Sequence, residues 1–512
     1  MPSLKKRMLA TAIAAGALAA AAVAPTANAA FTSPFVPKCS GASITAKGAS
    51  FQLTLQNSWR DAFQSTTSSG LPTIYCNNTQ FVNSNTNSRG SFDFDKVDLL
   101  AAPPIPQKTV QYLSGGSGVG IQSMGSNNGS NPNQLRDAVT RFAGTDDPPT
   151  ATQVAQANQG PLPDVSGDEG AMRTIPIASG SVVVIVNYPD NCTIPAAFQF
   201  KAPDGSYKYP AGTTRVKFTR GRVERAFRGD PGYDTWGELV PGLTGINGKT
   251  TPQCEAQEVE RVVRLDASGT TFAFKQWLDL QAPTVQWRED ALPQVFGNQA
   301  WPNDSGATAV LRGASNGNGA LADKVNTTDG SLGYGDLAVA RSKGFDKQNT
   351  DADTTFWLPM QNQGNSYKEP TYSPESYKVT RAAGTIDAGD PGFTPKKGAN
   401  CRSTVYNNLP GGGNGPEDTL LSWSQVTGVG GTGEYPICTL TYALAWDDTF
   451  DAFGAGVNRI EEARQKTVKD FLFLALSNTG QNLGDVNDYA RVPASILTNV
   501  AQPAQQALDY NK

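Results

Sequence analysis

The chain has 512 residues, with 42 Lys plus Arg against 46 Asp plus Glu, and contains no histidine. Without imidazole, a Ser-His-Asp hydrolase, a Cys-His protease and a histidine-ligated metal enzyme are all excluded. The acidic balance argues against a nucleic-acid partner, and the length exceeds one ordinary core, so two domains are expected.

Residues 1–30 place Lys5, Lys6 and Arg7 before an alanine-rich apolar run that ends in Ala27-Asn28-Ala29. That is the pattern of an export signal, cleaved near Ala29 or Ala30. Pro25 interrupts the run and no basic stop-transfer flank follows, which disfavours a membrane helix. No later segment is apolar enough to span a bilayer. Without the leader the chain carries 39 basic against 46 acidic residues, a net charge of −7. An anion site must then be built from local dipoles and a few placed cations. Cys39 follows Phe-Val-Pro-Lys, which is no lipobox, so a soluble periplasmic or secreted protein is expected.

Segment 41–63 reads as a short strand, a Gly-Ala-Ser turn and a helix carrying Leu53, Leu55, Trp59 and Phe63. The interval after it, 63–108, and the stretch 346–434 look like loop-rich insertions. Residues 109–124 repeat the pattern of strand, Gly-Ser-Gly turn and helix start. Residues 136–150 suggest a helix running into a short extended piece, stopped by paired prolines. The unbroken β-branched run 174–189 suits a strand covered on both faces. Residues 218–242 predict a helix with Val223, Ala226 and Phe227 inward, then a loop.

Further on, 262–278 passes from strand through Asp266-Ala267-Ser268-Gly269-Thr270 into a helix. The stretches 125–134, 313–320 and 411–415 read as glycine-rich loops, 435–446 as a strand, and 463–483 as an amphipathic helix. Strands alternating with helices imply an α/β fold with largely parallel sheets. The six cysteines, Cys39, Cys76, Cys192, Cys254, Cys401 and Cys438, form no CxxC pair, which favours disulfides over a metal site. Pairing between sequence neighbours is the preferred connectivity: Cys39 with Cys76, Cys192 with Cys254, Cys401 with Cys438.

Three places share one physical device, a strand, a turn of small residues and a helix that begins there: Ser50, Ser117, and Ser268 with Thr270. The first turn of a helix has backbone N–H groups without partners and attracts an anion, which small residues allow to come close. Arg264 sits where its guanidinium reaches the same ligand. Taken singly, each serine is equally an ordinary N-cap, and Asp266 is the obvious ion-pair partner of Arg264.

The chain resembles the substrate-binding proteins of phosphate ABC transporters, the PstS-like periplasmic phosphate-binding proteins. The resemblance rests on KGASF (47–51), VQYLSGGSGVGI (110–121), AGTDDPP (143–149), TIPIASGSVVVIVN (174–187), RVERAFRGD with TWGEL (222–239), VRLDASGTTFAF (263–274), GSLGY (330–334), YPICTLTYAL (435–444) and DYARVP (488–493). It implies a type II two-lobe periplasmic binding protein fold with the ligand in the inter-lobe cleft. The lobes would be 31–176 with a return at 435–512, and 177–434.

The resemblance also implies phosphate contacts from Ser50, Phe51, Ser117, Asp146, Arg264, Ser268, Gly269 and Thr270, with Asp266 behind Arg264. Ser126 is a rival to Ser117, and Asp147 to Asp146. In this reading Asp146 accepts the hydrogen bond of the proton that phosphate carries, which sulfate cannot offer.

The expected function is therefore extracytoplasmic capture of inorganic phosphate and delivery to a membrane permease, by a monomer without cofactor, metal or enzymatic turnover. The competing readings are another tetrahedral oxyanion (sulfate, molybdate, arsenate), a secreted phosphatase, or an adhesin on the same scaffold.

Overall fold

The computed structural model describes residues 41–64, 109–125, 137–159, 171–201, 214–285, 287, 299–301, 310–312, 317–346, 354–371, 379–381, 384–386, 398–431, 433–447 and 459–508. The leader, Cys39, Cys76 and Ser126 lie outside the described residues.

The principal sheet is built from β1 (Ile44–Gly48), β2 (Val110–Ser114), β3 (Thr140–Thr145), β4 (Met172–Asn187), β5 (Glu260–Val263), β6 (Val310–Arg312), β7 (Ser331–Asp336), β8 (Thr355–Trp357) and β9 (Cys438–Trp446). Its order is β2-β1-β3-β9-β4-β7-β5-β6, with β8 and the two-residue strand Tyr489–Ala490 also paired to β4. The helices that concern the site are α1 (Leu53–Gln64), α2 (Ser117–Ser123), α3 (Arg220–Arg228), α4 (Gly269–Gln281), α5 (Asn318–Asn326), α6 (Leu337–Ser342), α7 (Arg459–Leu476) and α8 (Asn478–Val486).

The long strand β4 divides the molecule. Its residues Met172–Ser181 pair antiparallel with β9, and Val182–Asn187 pair antiparallel with β7. All sixteen of its residues are buried, as expected for a β-branched run covered on both faces. The strand thus belongs to two half-sheets. Strands β1, β2 and β3 are mutually parallel in one, and β5, β6 and β7 in the other. Because β3 is antiparallel to β9 and β9 to β4, β3 runs in the direction of β4, whereas β7 runs against it, so the two parallel sets run toward each other. Their carboxyl ends, Gly48, Ser114 and Thr145 on one side and Val263 and Asp336 on the other, meet in the middle. This is where open α/β sheets bind ligands.

One continuous core runs behind both halves, with an aromatic cluster on each side. On the first side Phe471 of α7 packs against Phe63 and Phe142 with centroids 5.5 and 5.6 Å apart. On the second, Phe274 of α4 stacks on Tyr334 at 4.7 Å and meets Phe227 of α3 edge-on at 4.8 Å. The helix α3 begins at Thr219, whose hydroxyl accepts from the Arg222 N–H, and ends at Gly229 in the left-handed region, a local start and stop of the expected kind.

Four expectations are corrected. The sheet is mixed, because β4 and β9 run antiparallel to their neighbours. Of 136–150, the described part contains no helix, while the extended piece is the strand β3: all six of its residues are buried, and Arg141 forms a buried bidentate pair with Glu461. Charged residues at helical spacing had mimicked an amphipathic helix there. The glycine-rich run 313–320 already contains the start of helix α5 at Asn318, after Gly317 at φ 102°. The single helix expected over 463–483 is two, broken at Ser477, whose hydroxyl accepts from the Gly480 N–H and caps α8.

The segment 398–431 carries a small hairpin, Val405–Asn407 with Thr427–Val429. Tyr406, Trp423 and Val426 pack with Leu440 and Tyr442 of β9. Cys401–Cys438 and Cys192–Cys254 are disulfide-bonded, with Cα atoms 5.7 and 5.9 Å apart. Both are pairs expected from sequence neighbourhood.

Candidate functional site in the cleft between the half-sheets

Three chain turns converge where the strand ends meet. After β1, Ala49 donates its N–H to the Gly144 carbonyl, and Ser50 opens a short 3-10 turn into α1. Phe51 beside it is buried, and its carbonyl accepts from the Tyr489 hydroxyl. After β2, Gly116 takes φ 98° and Ser117 begins α2. After β5, Ser268 caps α4 by accepting from the Thr271 N–H at 3.1 Å.

These turns touch across the cleft with no room to spare. A Cβ on Gly269 would lie 2.7 Å from the Asp146 Cβ and 2.8 Å from the Asp147 nitrogen. One on Gly118 would lie 2.6 Å from the Ala267 Cβ, and one on Gly116 would lie 2.7 Å from the Ala267 carbonyl oxygen. Glycine is required here by close approach, and at Gly116 also by its positive φ.

Arg264 is 2% exposed. Its Nε donates to Asp266 Oδ1 at 2.7 Å and its Nη2 to Oδ2, a bidentate pair that fixes the guanidinium plane. Nη1 donates to Asn318 Oδ1, and Nη2 also reaches Ser50 Oγ at 3.4 Å, from one side of the cleft to the other.

Asp146 is likewise 2% exposed. The Thr441 hydroxyl donates to its Oδ1 at 2.6 Å. The buried Gln52 side-chain amide donates to the Thr441 oxygen at 2.5 Å, which directs the hydroxyl proton to an acceptor, and Asp146 Oδ1 is nearer than the Thr145 carbonyl at 3.3 Å. Among the described residues Oδ2 of Asp146 receives only the long 3.4 Å contact from Ser117 Oγ, so it is the oxygen with spare accepting capacity. Ser117 Oγ in turn accepts from the Asp146 N–H at 3.0 Å. A β-bulge lies in the pairing of β9 with β4 between Thr441 and Tyr442, opposite Ala178 and Pro176. Proline inside a sheet is tolerated at such an irregularity, and bulges turn side chains out of register.

Burial pushes the Asp146 carboxyl up from the usual range to about 7, with the neighbouring Asp336 carboxylate adding to the rise. The Thr441 hydrogen bond, Arg264 and Ser117 pull in the opposite direction. Asp336 is raised by burial to about 6, against the hydrogen bonds it receives from Val339 N–H and Asn318.

Ser50, Phe51, Ser117, Asp146, Arg264, Asp266, Ser268, Gly269 and Thr270 therefore come together around one cleft. Asp147, the rival to Asp146, is partly exposed and turned aside, its Oδ2 accepting from the Gln299 amide at 2.6 Å. Sequence reasoning missed Asn318, Asp336, Thr441 and Gln52. Asp336 had a local signal, an aspartate before an apolar helix, but that signal reports only a cap. The others had none. Among the described residues no group of three or more His, Cys, Asp or Glu side chains is arranged to hold a metal ion.

A chain whose two half-sheets meet at their carboxyl ends around a buried cleft has the two-lobe periplasmic binding protein fold. It belongs to the family described as the PBP superfamily domain, whose model matches residues 99–399. No curated protein sequence matches the chain. Among solved structures it is similar to a high-affinity periplasmic phosphate-binding protein (PfluDING) bound with phosphate, at 15% identity and TM-score 0.47 over 89% of this chain and 92% of that one. A phosphate-binding protein from Stenotrophomonas maltophilia matches at 16% identity and TM-score 0.47 over 90% and 93%. A putative phosphate ABC transporter substrate-binding protein with bound phosphate from Clostridium perfringens matches at 11% identity and TM-score 0.39 over 88% and 99%.

Proposed function

We propose that the chain binds inorganic phosphate in this cleft, outside the cytoplasmic membrane, and hands it to a phosphate permease of the ABC type. The observation that carries the reading is the pairing, within one buried cleft, of a fixed guanidinium with a carboxylate that has one oxygen free to accept.

Arg264 and the donors at Ser50, Ser117, Ser268, Gly269 and Thr270 compensate the charge of a tetrahedral oxyanion. Asp146 accepts from the proton that phosphate still holds near neutral pH. A fully deprotonated oxyanion has no proton to give, and its oxygen would face the Asp146 carboxylate in a site that excludes water. Phosphate and arsenate fit this polarity, whereas sulfate and molybdate do not. Two disulfides support an oxidising compartment, in keeping with the export signal expected at residues 1–30. Contacts of this kind hold an anion by hydrogen bonds and charge alone, which favours a receptor over a phosphatase.

The test is calorimetric titration of the protein with phosphate, arsenate and sulfate between pH 5 and 9. Above about pH 8, where Asp146 is ionised, saturable phosphate binding with sulfate at least tenfold weaker is expected, and the gap should narrow toward pH 5, where the Asp146 carboxyl holds a proton of its own. Equal affinity for sulfate would remove the role of Asp146, and no binding of any oxyanion would remove the function.

A further inference from the structure

Asn318 bridges the two groups on which the second half-sheet's side of the cleft depends, and its amide can be oriented in only one way. Its Oδ1 accepts from Arg264 Nη1, a group that only donates. Its Nδ2 donates to Thr270 Oγ1 at 3.1 Å and to Asp336 Oδ2 at 2.6 Å. A flipped amide would set N–H against guanidinium and carbonyl against carboxylate. Asp336 is itself held, since its Oδ1 accepts from the Val339 N–H at 2.8 Å. All four side chains are at least 98% buried, so water does not blur the assignment.

The consequence falls on Thr270. With its oxygen already accepting from Asn318, its hydroxyl proton has no acceptor among the described residues and is left to point at a ligand. We infer that Asn318, locked by Asp336, is a positioning residue that makes the Thr270 hydroxyl an obligate donor toward the bound anion and holds the Arg264 guanidinium in place beside it. This rests on the phosphate reading above and deepens it. One side of the cleft then presents donors only, and Asp146 opposite is the acceptor, so the oxyanion is held in one orientation with its proton toward Asp146.

The test is a double-mutant cycle between positions 318 and 270, read by titration with inorganic phosphate. Asn318→Asp keeps the shape and still accepts from Arg264, but it also accepts from Thr270 and draws the hydroxyl proton away from the ligand. Asn318→Asp and Thr270→Val should each weaken phosphate binding at least about tenfold, the lower end for a hydrogen bond to a charged group. The double variant should be no weaker than the Asn318→Asp variant alone.

Losses that multiply in the double variant would mean that Asn318→Asp acts only by adding negative charge, and would overturn the inference, as would unchanged binding by Asn318→Asp. If that variant does not fold, Asn318→Ala supplies the cycle, with the same non-multiplying losses expected and multiplying losses overturning it. Failure of the unaltered chain to bind phosphate would instead defeat the function itself.

Discussion

At the scale of single residues the cleft is governed by which oxygen of which side chain is already occupied. Asp146 has Oδ1 filled by Thr441 and Oδ2 nearly open, so Asp146→Asn should replace an acceptor by a donor where phosphate carries its proton. Phosphate affinity should fall roughly ten- to hundredfold while sulfate affinity holds or rises, which competition titration will read. The same carboxyl has a second consequence. Its pKa in the folded chain is raised to about 7, above the ordinary value near 4, so the folded state holds the extra proton. The stability this contributes is fully present below about pH 4 and is lost as pH rises to about 7. Thermal unfolding of ligand-free protein should therefore show that loss over pH 4 to 7, and Asp146→Asn should flatten the profile. Ser50, Ser117 and Ser268 were legible as candidates because each opens a helix at a strand-turn-helix junction, with Arg264 just before the third, whereas Asp146 read as a turn residue and its role came only from the resemblance. Asn318 and Thr441 were not, because they reach Thr270 and Asp146 from 48 and 295 residues away, and nothing local to either one encodes that partner.

At the scale of elements, the cleft closes because glycines let turns from opposite sides touch. Gly269→Ala would drive a methyl into Asp146 and the Asp147 backbone, and backbone cannot swing aside. The fold of each half should survive, while phosphate affinity should drop by at least about a hundredfold, since a displacement of about an ångström at such a site costs that much. Circular dichroism alongside titration separates the two effects. The secondary structure was readable where period and punctuation agreed, as in β4 and α3. It was misread where charge spacing imitated a helix, as in β3, whose Arg141 is neutralised by Glu461 from 320 positions on. The disulfide Cys401–Cys438 ties segment 398–431 to the start of β9, the strand that supplies Thr441. Replacing both cysteines by serine should lower the melting temperature in keeping with the roughly 2–4 kcal/mol typical of one native crosslink, as scanning calorimetry will show.

At the scale of the whole molecule the two halves are unequal in their dependence on sequence order. The first takes strands from residues 44–145 and again from 438–446, while the second is assembled from 182–357. Because β4 serves both, the two halves cannot melt separately without breaking one ladder, and unfolding should appear as a single cooperative transition in spite of the chain's length. A saturating anion adds RT ln(1 + [L]/Kd) to that stability, so the transition should move upward with phosphate concentration and not with an equal concentration of chloride.

The shared strand also limits how the polypeptide can be divided. A cut before Met172 leaves the downstream piece without β1 to β3, and a cut after Asn187 strips the upstream piece of β9 and β7 and bares both edges of a sixteen-residue strand that is buried throughout in the intact chain, a ready template for aggregation. Fragments made apart should precipitate, while the same fragments refolded in one vessel should recover a soluble complex.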